Sequence, residues 1–274
     1  MPGRAVPSIG LLFLLFSCVH PPEISSPPDR EPTRILHEEI LSIDSPASPA
    51  IRMDVPEGVP AIAGRSVEAR PVHYMVFGRG ADVALIFATI HGNEPAGTPL
   101  VNRLALHLER HPELLEGRRV VLCPLLNPDG LANRTRWNVH GVDLNRNYPS
   151  DNFKPCRRHG PRPLSEPESR IILDLLTTFQ PDRVLSIHQP LSCIDYDGPA
   201  RDLAEAMGRT TGLPVKKLGA RPGSLGSYVG LTLGIPIITL ELPGAASRFS
   251  ADRNWAKYGN MLLAFIRHGE GIQP

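Results

Sequence analysis

The feature that most restricts the fold of this chain is an apolar run, residues 83–90, that ends abruptly in His91-Gly92-Asn93-Glu94. The run predicts a buried strand, and a helical pattern begins near Pro95. A His-x-x-Glu turn that bends at Gly92 lets His91 and Glu94 face one cation. Two histidines and one glutamate form one of the ligand sets of catalytic zinc. The rest of the chain must therefore contain another ligand, a general base and an electrophilic helper.

Apolar strands alternate with helical patterns along most of the chain. Strands are predicted over residues 72–77, 83–90, 120–126, 183–187 and 235–240, and helices over residues 95–110, from about 165, over 200–211 and over 251–267. Turns or loops are predicted at residues 127–130 and 222–227. This alternation predicts an α/β fold in a single domain, with a mainly parallel, mixed central sheet flanked by helices.

Three of the predicted strands end in a residue that can bind a metal ion or transfer a proton, namely His91, His188 and Glu241. Open α/β sheets place their sites outside the carboxyl ends of strands. A lone histidine after a strand is more often a hydrogen-bonded structural residue. Taken together, the pattern predicts one zinc ion per chain, held by His91, Glu94 and His188.

The first 50 residues differ from the rest. Residues 1–18 combine Arg4, a short apolar run and Leu15-Phe16-Ser17-Cys18, which resembles a bacterial lipobox and predicts a signal peptide with lipidation at Cys18. Simple secretion and an uncleaved apolar tail are the alternatives. Residues 19–50 are rich in Pro, Ser and acidic residues and predict a flexible tether. We therefore expect an exported, periplasmic protein that is anchored by a lipid at Cys18, ahead of a catalytic domain at residues 51–274.

Charge and cysteine content exclude some partners and leave one question open. With 29 basic and 28 acidic residues the net charge is +1, so no nucleic-acid partner is expected, and membrane contact is expected only through the lipid anchor.

Cys123, Cys156 and Cys193 show no Cys-x-x-Cys spacing. They are expected to be unpaired, with a disulfide involving Cys156 or Cys193 as the alternative.

Five segments follow one another in a familiar order. They are His91-x-x-Glu94, Asn127-Pro128-Asp129-Gly130, the segment from Gly141 to Pro149, Ser186-Ile187-His188 and Glu241-Leu242-Pro243. Together they resemble the zinc carboxypeptidase family, and the resemblance implies that family's fold. Three further segments, at residues 165–168, 193–195 and 222–224, resemble the murein peptide amidase branch, whose members cut the amide between γ-D-glutamate and meso-diaminopimelate in cell-wall peptides.

The resemblance also implies roles for individual residues. Glu241 would be the general base, and Arg136 would stabilise the oxyanion, with the nearby Arg134 as a competitor for that role. Asn145 and Arg146 would hold the free carboxylate of a peptidoglycan-derived peptide.

The residues that set specificity are harder to assign. Asp195 is the candidate for the ammonium of diaminopimelate, Asp197 is the alternative, and Asp195 could also be a solvated loop residue. A mobile tyrosine found in other members has no clear counterpart, although Tyr228 lies in the general region. Competing functions are a general peptide carboxypeptidase, a small-molecule deacylase and a non-catalytic wall-peptide-binding lipoprotein.

Overall fold

A seven-stranded sheet forms the centre of the computed structural model, which describes residue 1 and residues 51–269. The strands are β1 (Ala61–Arg65), β2 (Pro71–Phe77), β3 (Asp82–Ala88), β4 (Arg118–Cys123), β5 (Arg183–His188), β6 (Leu191–Asp197) and β7 (Ile237–Pro243). Their spatial order is β1-β2-β4-β3-β5-β7-β6.

Parallel pairing joins the four central strands, whereas the outer strands pair antiparallel. β4, β3, β5 and β7 run in one direction, while β1, β2 and β6 complete the two edges. The central strands are buried on both faces, which explains why they read in sequence as continuous apolar runs. The predicted α/β class with a mixed central sheet is therefore confirmed.

The strand order reverses at β3. The chain leaves β3 and pairs next on one side with β4, then returns to the other side with β5. In open α/β sheets such a switch point leaves a crevice beyond the carboxyl ends of the strands. His91 and Glu94 follow β3, and His188 ends β5, so the topology brings all three to this crevice.

Helices cover both faces of the sheet. They are α1 (Gly97–Arg110), α2 (Pro128–Asn133), α3 (Pro167–Phe179), α4 (Arg201–Thr211) and α5 (Ala251–Arg267), with a π-helix at Gly226–Thr232. The main core joins apolar residues of α1, α4 and α5 to Ala84, Ile86 and Ala88 of β3. Alternate residues of a strand face opposite sides, so Leu85 and Phe87 face away from that cluster. α3 packs against β1.

Several predicted boundaries are wrong for local reasons. β3 ends at Ala88 and not at Ile90, because Thr89 takes a left-handed backbone with φ 55°. The turn predicted at residues 127–130 begins α2 instead, since the Asn127 side chain accepts the Gly130 N–H as a helix cap. Glu241 lies inside β7 and does not follow it. β1 and β6 were not predicted, and residues 226–227 of the predicted loop begin the π-helix.

The predicted signal peptide at residues 1–18, the lipidated Cys18 and the tether at 19–50 lie outside the described residues, apart from Met1. The limits of the predicted catalytic domain at 51–274 stay a prediction. Among the residues that the structure describes, no helix has both the length and the apolar character needed to cross a bilayer.

Arg183, at the start of β5, ties the end of α5 to the sheet. Its guanidinium donates to the carbonyls of Phe265 and Ile266 and pairs with the Asp82 carboxylate, and the residue is 5% exposed. We expect Arg183→Ala to lower the free energy of unfolding by about 3 kcal/mol, because buried polar partners lose their donor. Denaturant unfolding measures this, with the exposed Arg267→Ala as control. Equal stability of the two variants would contradict this role for Arg183.

Candidate metal centre and substrate cleft

His91, Glu94 and His188 meet in the crevice beyond β3 and β5. His91 Nδ1 lies 3.0 Å from Glu94 Oε1, His188 Nδ1 lies 3.0 Å from Glu94 Oε2, and the two Nδ1 atoms are 3.2 Å apart. All three side chains are buried, and they could hold a metal ion together. The structure thus brings together the three predicted ligands.

The outer nitrogen of each imidazole, Nε2, is hydrogen-bonded to a neighbouring side chain. His91 Nε2 lies 2.9 Å from Asp143 Oδ1, and His188 Nε2 lies 2.8 Å from Ser186 Oγ. Because a carboxylate only accepts, Asp143 binds the proton on His91 Nε2 and turns Nδ1 inward. There the protonated ring donates to Glu94, and the neutral ring would offer its lone pair to a cation.

The inward-facing atoms fit a divalent cation. Two imidazole nitrogens and a carboxylate are a donor set that catalytic zinc uses, and tetrahedral ligands at about 2.0–2.1 Å from zinc lie about 3.3 Å from one another. The observed spacings of 3.0–3.2 Å are close to that value.

The carboxyl groups of Glu94 and Asp143 stay ionised at this site. Burial alone would raise the pKa of Glu94, but hydrogen bonds with His188 and His91 hold that pKa well below its ordinary value. Burial likewise opposes ionisation of Asp143, and the hydrogen bond with His91 and the charge of Arg136 keep its pKa low. Both carboxyls are therefore anionic at neutral pH, as a cation site requires.

A close backbone approach fixes the turn that carries Glu94. A Cβ on Gly92 would lie 1.9 Å from the carbonyl carbon of Gly130 in α2, so only glycine fits there. The Asn127 side chain donates to the Ile90 carbonyl and accepts from Gly130 N–H. The Asn-Pro-Asp-Gly segment therefore supports the metal-ligand turn and caps α2 at the same time.

Arg136 lies at the edge of the ligand cluster. Its Nη1 donates to Glu94 Oε1 at 2.9 Å and its Nε donates to Asp143 Oδ2 at 3.0 Å. Arg134 is exposed at the C-terminal cap of α2 and does not line the cleft. Of the two arginines considered from the sequence, Arg136 is the one placed at the site.

A cleft of about 290 Å³ opens beside the cluster. Its lining includes the predicted residues and several that were not predicted, among them His91, Glu94, Arg136, Asn145, Arg146, His188, Gln189, Asp195, Asp197, Arg221 and Glu241. The cleft therefore joins the metal-ligand cluster to a strongly charged pocket.

Asn145 and Arg146 reach the cleft from a 3-10 turn at Leu144–Arg146 that Asp143 caps. The Asn145 Oδ1 accepts the Leu225 N–H at 2.9 Å, which leaves its NH₂ group to donate elsewhere. Burial lowers the pKa of Arg146, yet a guanidinium stays protonated at neutral pH. The pair thus offers fixed donors to an anion.

Glu241 faces the cleft from β7, in register with His188 on β5. It is 9% exposed, and its Oε2 accepts the Leu191 N–H at 3.2 Å. The carboxylate is consequently held beside the candidate metal site without belonging to the ligand cluster.

Asp195 and Asp197 are strand residues of β6, not loop residues, and both are buried at the cleft. Asp195 Oδ1 accepts the Leu218 N–H at 2.8 Å. Burial raises the pKa of Asp197 from 3.8 to about 6, and the charge of Asp195 adds to that rise. The expectation that Asp195 could be solvated is therefore wrong, because β6 pairs with β7 and carries it inward.

Tyr228 and the cysteines take no part in the cleft as the structure describes it. Tyr228 is fully buried in the π-helix, and its ring stacks with Tyr148 at 6.3 Å between centroids. Cys123, Cys156 and Cys193 are free thiols. No disulfide joins any two of them among the described residues.

Three residues with clear structural roles were missed from the sequence. Asp143 and Ser186 orient the two histidines, and Gln189 donates its backbone N–H to Glu94 at 3.1 Å. Asp143 and Ser186 stand inside the conspicuous segments 141–149 and 186–188, which was the available signal. Nothing in the residue pattern singles out Gln189, which binds Glu94 through its backbone, while its side chain accepts the Ala96 N–H and donates to the Pro243 carbonyl.

Removing the Asp143 carboxylate tests this orientation. We expect Asp143→Ala to weaken zinc binding by about tenfold to a hundredfold, because His91 loses the acceptor that sets its tautomer. Calorimetric titration with zinc measures the change, with the exposed Asp151→Ala as control. Unchanged zinc affinity in the Asp143 variant would show that the contact does not orient the ligand.

Comparisons with known proteins agree with this geometry. The family model for zinc carboxypeptidase (Peptidase_M14) matches residues 51–196. Murein peptide amidase A from Escherichia coli K12 is 32% identical over 218 residues, which are 73% of this chain and 87% of that protein. Its namesake from Vibrio campbellii is 30% identical over 228 residues, 76% of this chain and 88% of that protein.

Solved structures share the fold. The crystal structure of murein-tripeptide amidase from Escherichia coli O157 has a TM-score of 0.64 at 27% identity and covers 78% of this chain and 92% of that chain. Carboxypeptidase A from Helicoverpa armigera, at 19% identity and a TM-score of 0.59, covers 77% of this chain and 69% of that chain and supports the fold alone. This chain is a peptide hydrolase and belongs to the zinc carboxypeptidase family.

Proposed function

We propose that this protein is a zinc-dependent amidase that releases meso-diaminopimelate from the end of cell-wall peptides by cutting its bond to γ-D-glutamate. The observation that carries the proposal is the convergence of His91, Glu94 and His188 beside a cleft with both acidic and basic walls. Similarity to murein peptide amidase A over most of the length of both chains supports the choice of substrate.

His91 and His188, each through Nδ1, and Glu94 through its carboxylate would hold the zinc ion. Zinc bound there would act as a Lewis acid on the scissile carbonyl and favour deprotonation of a bound water. The chain's own residues do the remaining work, which is to orient the substrate and to move protons.

Glu241 would take a proton from the attacking water and deliver it to the leaving amine. Its position supports this role, because it faces the cleft next to His188 and is not one of the ligands. The Leu191 N–H holds one carboxylate oxygen, which leaves the other for the proton.

Arg136 would stabilise the negative charge that develops on the carbonyl oxygen. Its contacts with Glu94 and Asp143 fix the guanidinium before the reaction begins. A preorganised positive charge costs no rearrangement in the transition state and is therefore effective.

Asn145 and Arg146 would bind the free carboxylate of the terminal residue, and so place the last amide bond over the metal site. Beyond them, the acidic pair Asp195 and Asp197 would receive an ammonium on the side chain of that residue. This arrangement supports action on a peptide end and not on internal bonds.

The location is a separate proposal. Residues 1–18 suggest export with a lipid at Cys18, which would place the enzyme among wall peptides outside the inner membrane. Labelling with a fatty-acid analogue tests this, since label that is lost in Cys18→Ala would support the anchor and unlabelled protein would refute it.

The substrate is tested by offering L-alanyl-γ-D-glutamyl-meso-diaminopimelate to the zinc-loaded protein and following products by mass spectrometry. We expect free diaminopimelate, and we expect a chelator to abolish its release. Removal of ordinary C-terminal residues with no release of diaminopimelate would indicate a general carboxypeptidase instead.

The general base is tested by Glu241→Gln, which keeps an oxygen for the Leu191 N–H. We expect zinc affinity to be retained and kcat to fall by at least about a hundredfold, since the amide cannot accept the proton. The exposed Glu57→Gln is the matched control. Near-normal turnover by the Glu241 variant would refute the mechanism.

The carboxylate clamp is tested by comparing a peptide with its C-terminal amide. We expect Arg146→Ala to raise KM for the free acid by about tenfold to a hundredfold, because a charge-assisted contact is lost. The amide lacks the charge, so the variant and the wild type should handle it alike. Equal damage with both peptides would assign Arg146 a structural role.

A further inference from the structure

The cleft holds more fixed charges than the oxyanion and the terminal carboxylate of the substrate require. Arg136 and Arg146 have roles at the oxyanion and at the terminal carboxylate, which leaves Arg221 as a third cation on the lining. The acids Asp195 and Asp197 likewise lie apart from the candidate metal ligands. A surplus of both signs implies that the bound side chain carries both signs.

The two acids differ in what they already contact. Asp195 accepts the Leu218 N–H, so part of its charge is satisfied by the protein. Asp197 is 4% exposed, and its carboxylate accepts no hydrogen bond from any residue that the structure describes. The carboxylate lines the cleft, where only water or a ligand can supply the donor that the protein does not.

The π-helix makes room for Asp197. A Cβ on Gly226 would lie 2.2 Å from Asp197 Oδ2, and a Cβ on Gly230 would lie 2.6 Å from Asp197 Cβ. Any larger residue at these positions would displace the acid. The two glycines therefore allow the carboxylate to sit at the cleft wall.

The neighbouring charges leave Asp197 in need of a cation. Asp195, two residues away on the same face of β6, repels it, and the ordinary pKa of 3.8 rises to about 6 through burial and this repulsion. Lys217 opposes the rise, but its Nζ lies 4.8 Å from the centre of the Tyr196 ring and the residue is exposed. An ammonium on the ligand would provide the missing partner.

Arg221 is held on the rim of the same cleft. Its carbonyl accepts hydrogen bonds from Ser224 N–H and Ser227 Oγ, which fixes the backbone, and its guanidinium has no acidic partner among the described residues. Arg221 and Arg146 line the same cleft, and the charge of Arg221 contributes to the lowered pKa of Arg146.

We propose that Asp197 and Arg221 together recognise a zwitterionic end on the side chain of the substrate's terminal residue, Asp197 receiving its ammonium and Arg221 its carboxylate. This inference rests on the proposed function, because it assumes that Arg146 binds the other carboxylate. It divides the acidic pair, with Asp195 holding the Leu218 segment and Asp197 contacting the ligand.

Four peptides that share L-alanyl-γ-D-glutamate separate the two charges. Their terminal residues are meso-diaminopimelate with both groups, L-lysine with the ammonium alone, L-2-aminopimelate with the carboxylate alone, and L-norleucine with neither. The zinc-loaded full chain and its Asp197→Asn and Arg221→Gln variants are compared by kcat/KM. The exposed Asp202→Asn and Arg209→Gln serve as matched controls.

Each variant should lose activity only on the peptides whose terminal side chain carries the charged group that the substituted residue binds. We expect Asp197→Asn to lower kcat/KM on the two ammonium peptides by on the order of a hundredfold and to leave the other two unchanged. We expect Arg221→Gln to lower it on the two carboxylate peptides by about tenfold, because water screens this exposed cation.

The outcomes distinguish this inference from the proposed function. If the wild type cleaves none of the peptides, the proposed function is wrong and the inference is wrong with it. If the wild type cleaves them and each variant loses activity equally on all four, the proposed function stands and the assignment of Asp197 and Arg221 is overturned.

Thermal unfolding tells recognition from structural support. A carboxyl whose pKa is raised by folding destabilises the fold as pH rises from 3.8 through about 6. We therefore expect Asp197→Asn to unfold at a temperature equal to or above that of the wild type at pH 8, and the two to converge below pH 4. A lower unfolding temperature at pH 8 would make Asp197 a structural residue and overturn the assignment.

Discussion

The contact on which the site depends is the meeting of two imidazole Nδ1 atoms and one carboxylate within 3.0–3.2 Å. Asp143 and Ser186 bind the outer nitrogens and so direct these atoms inward. Such a cluster of inward-facing nitrogen and oxygen atoms needs positive charge between its members, supplied by imidazole protons or by a bound cation. The surrounding architecture serves this cluster, because the switch point at β3 brings the ends of β3 and β5 together and β7 adds Glu241 beside them.

Much of this arrangement could be predicted because short stretches of the sequence, namely apolar runs and the residues that end them, indicate it directly. The buried parallel strands form continuous apolar runs, and the residue that interrupts or ends each run marks the crevice. His91, Glu94 and His188 were predicted for this reason, as was the helix at Ala251–Arg267. The family resemblance of the intervening segments pointed to Arg136, Asn145 and Arg146, and the structure places all three on the cleft.

The features that were not predicted depend on contacts between parts of the chain that are distant in sequence. β6 was not predicted because Asp195 and Asp197 interrupt its apolar pattern, and only its pairing with β7 shows that they are buried. The space for Asp197 is created by Gly226, 29 positions later in the sequence, and the turn at Gly92 is fixed by Gly130. Side chains that act through such packing carry no periodic signal of their own, and Gln189 binds Glu94 through its backbone N–H.

Anomalous diffraction at the zinc absorption edge, from crystals of the protein grown with zinc, tests the central claim most directly. The account predicts one peak per chain at about 2.0–2.2 Å from His91 Nδ1, His188 Nδ1 and a Glu94 oxygen. The Nε2 atoms should keep their contacts with Asp143 and Ser186. Absence of a peak between these residues, or coordination through the Nε2 atoms, would contradict it.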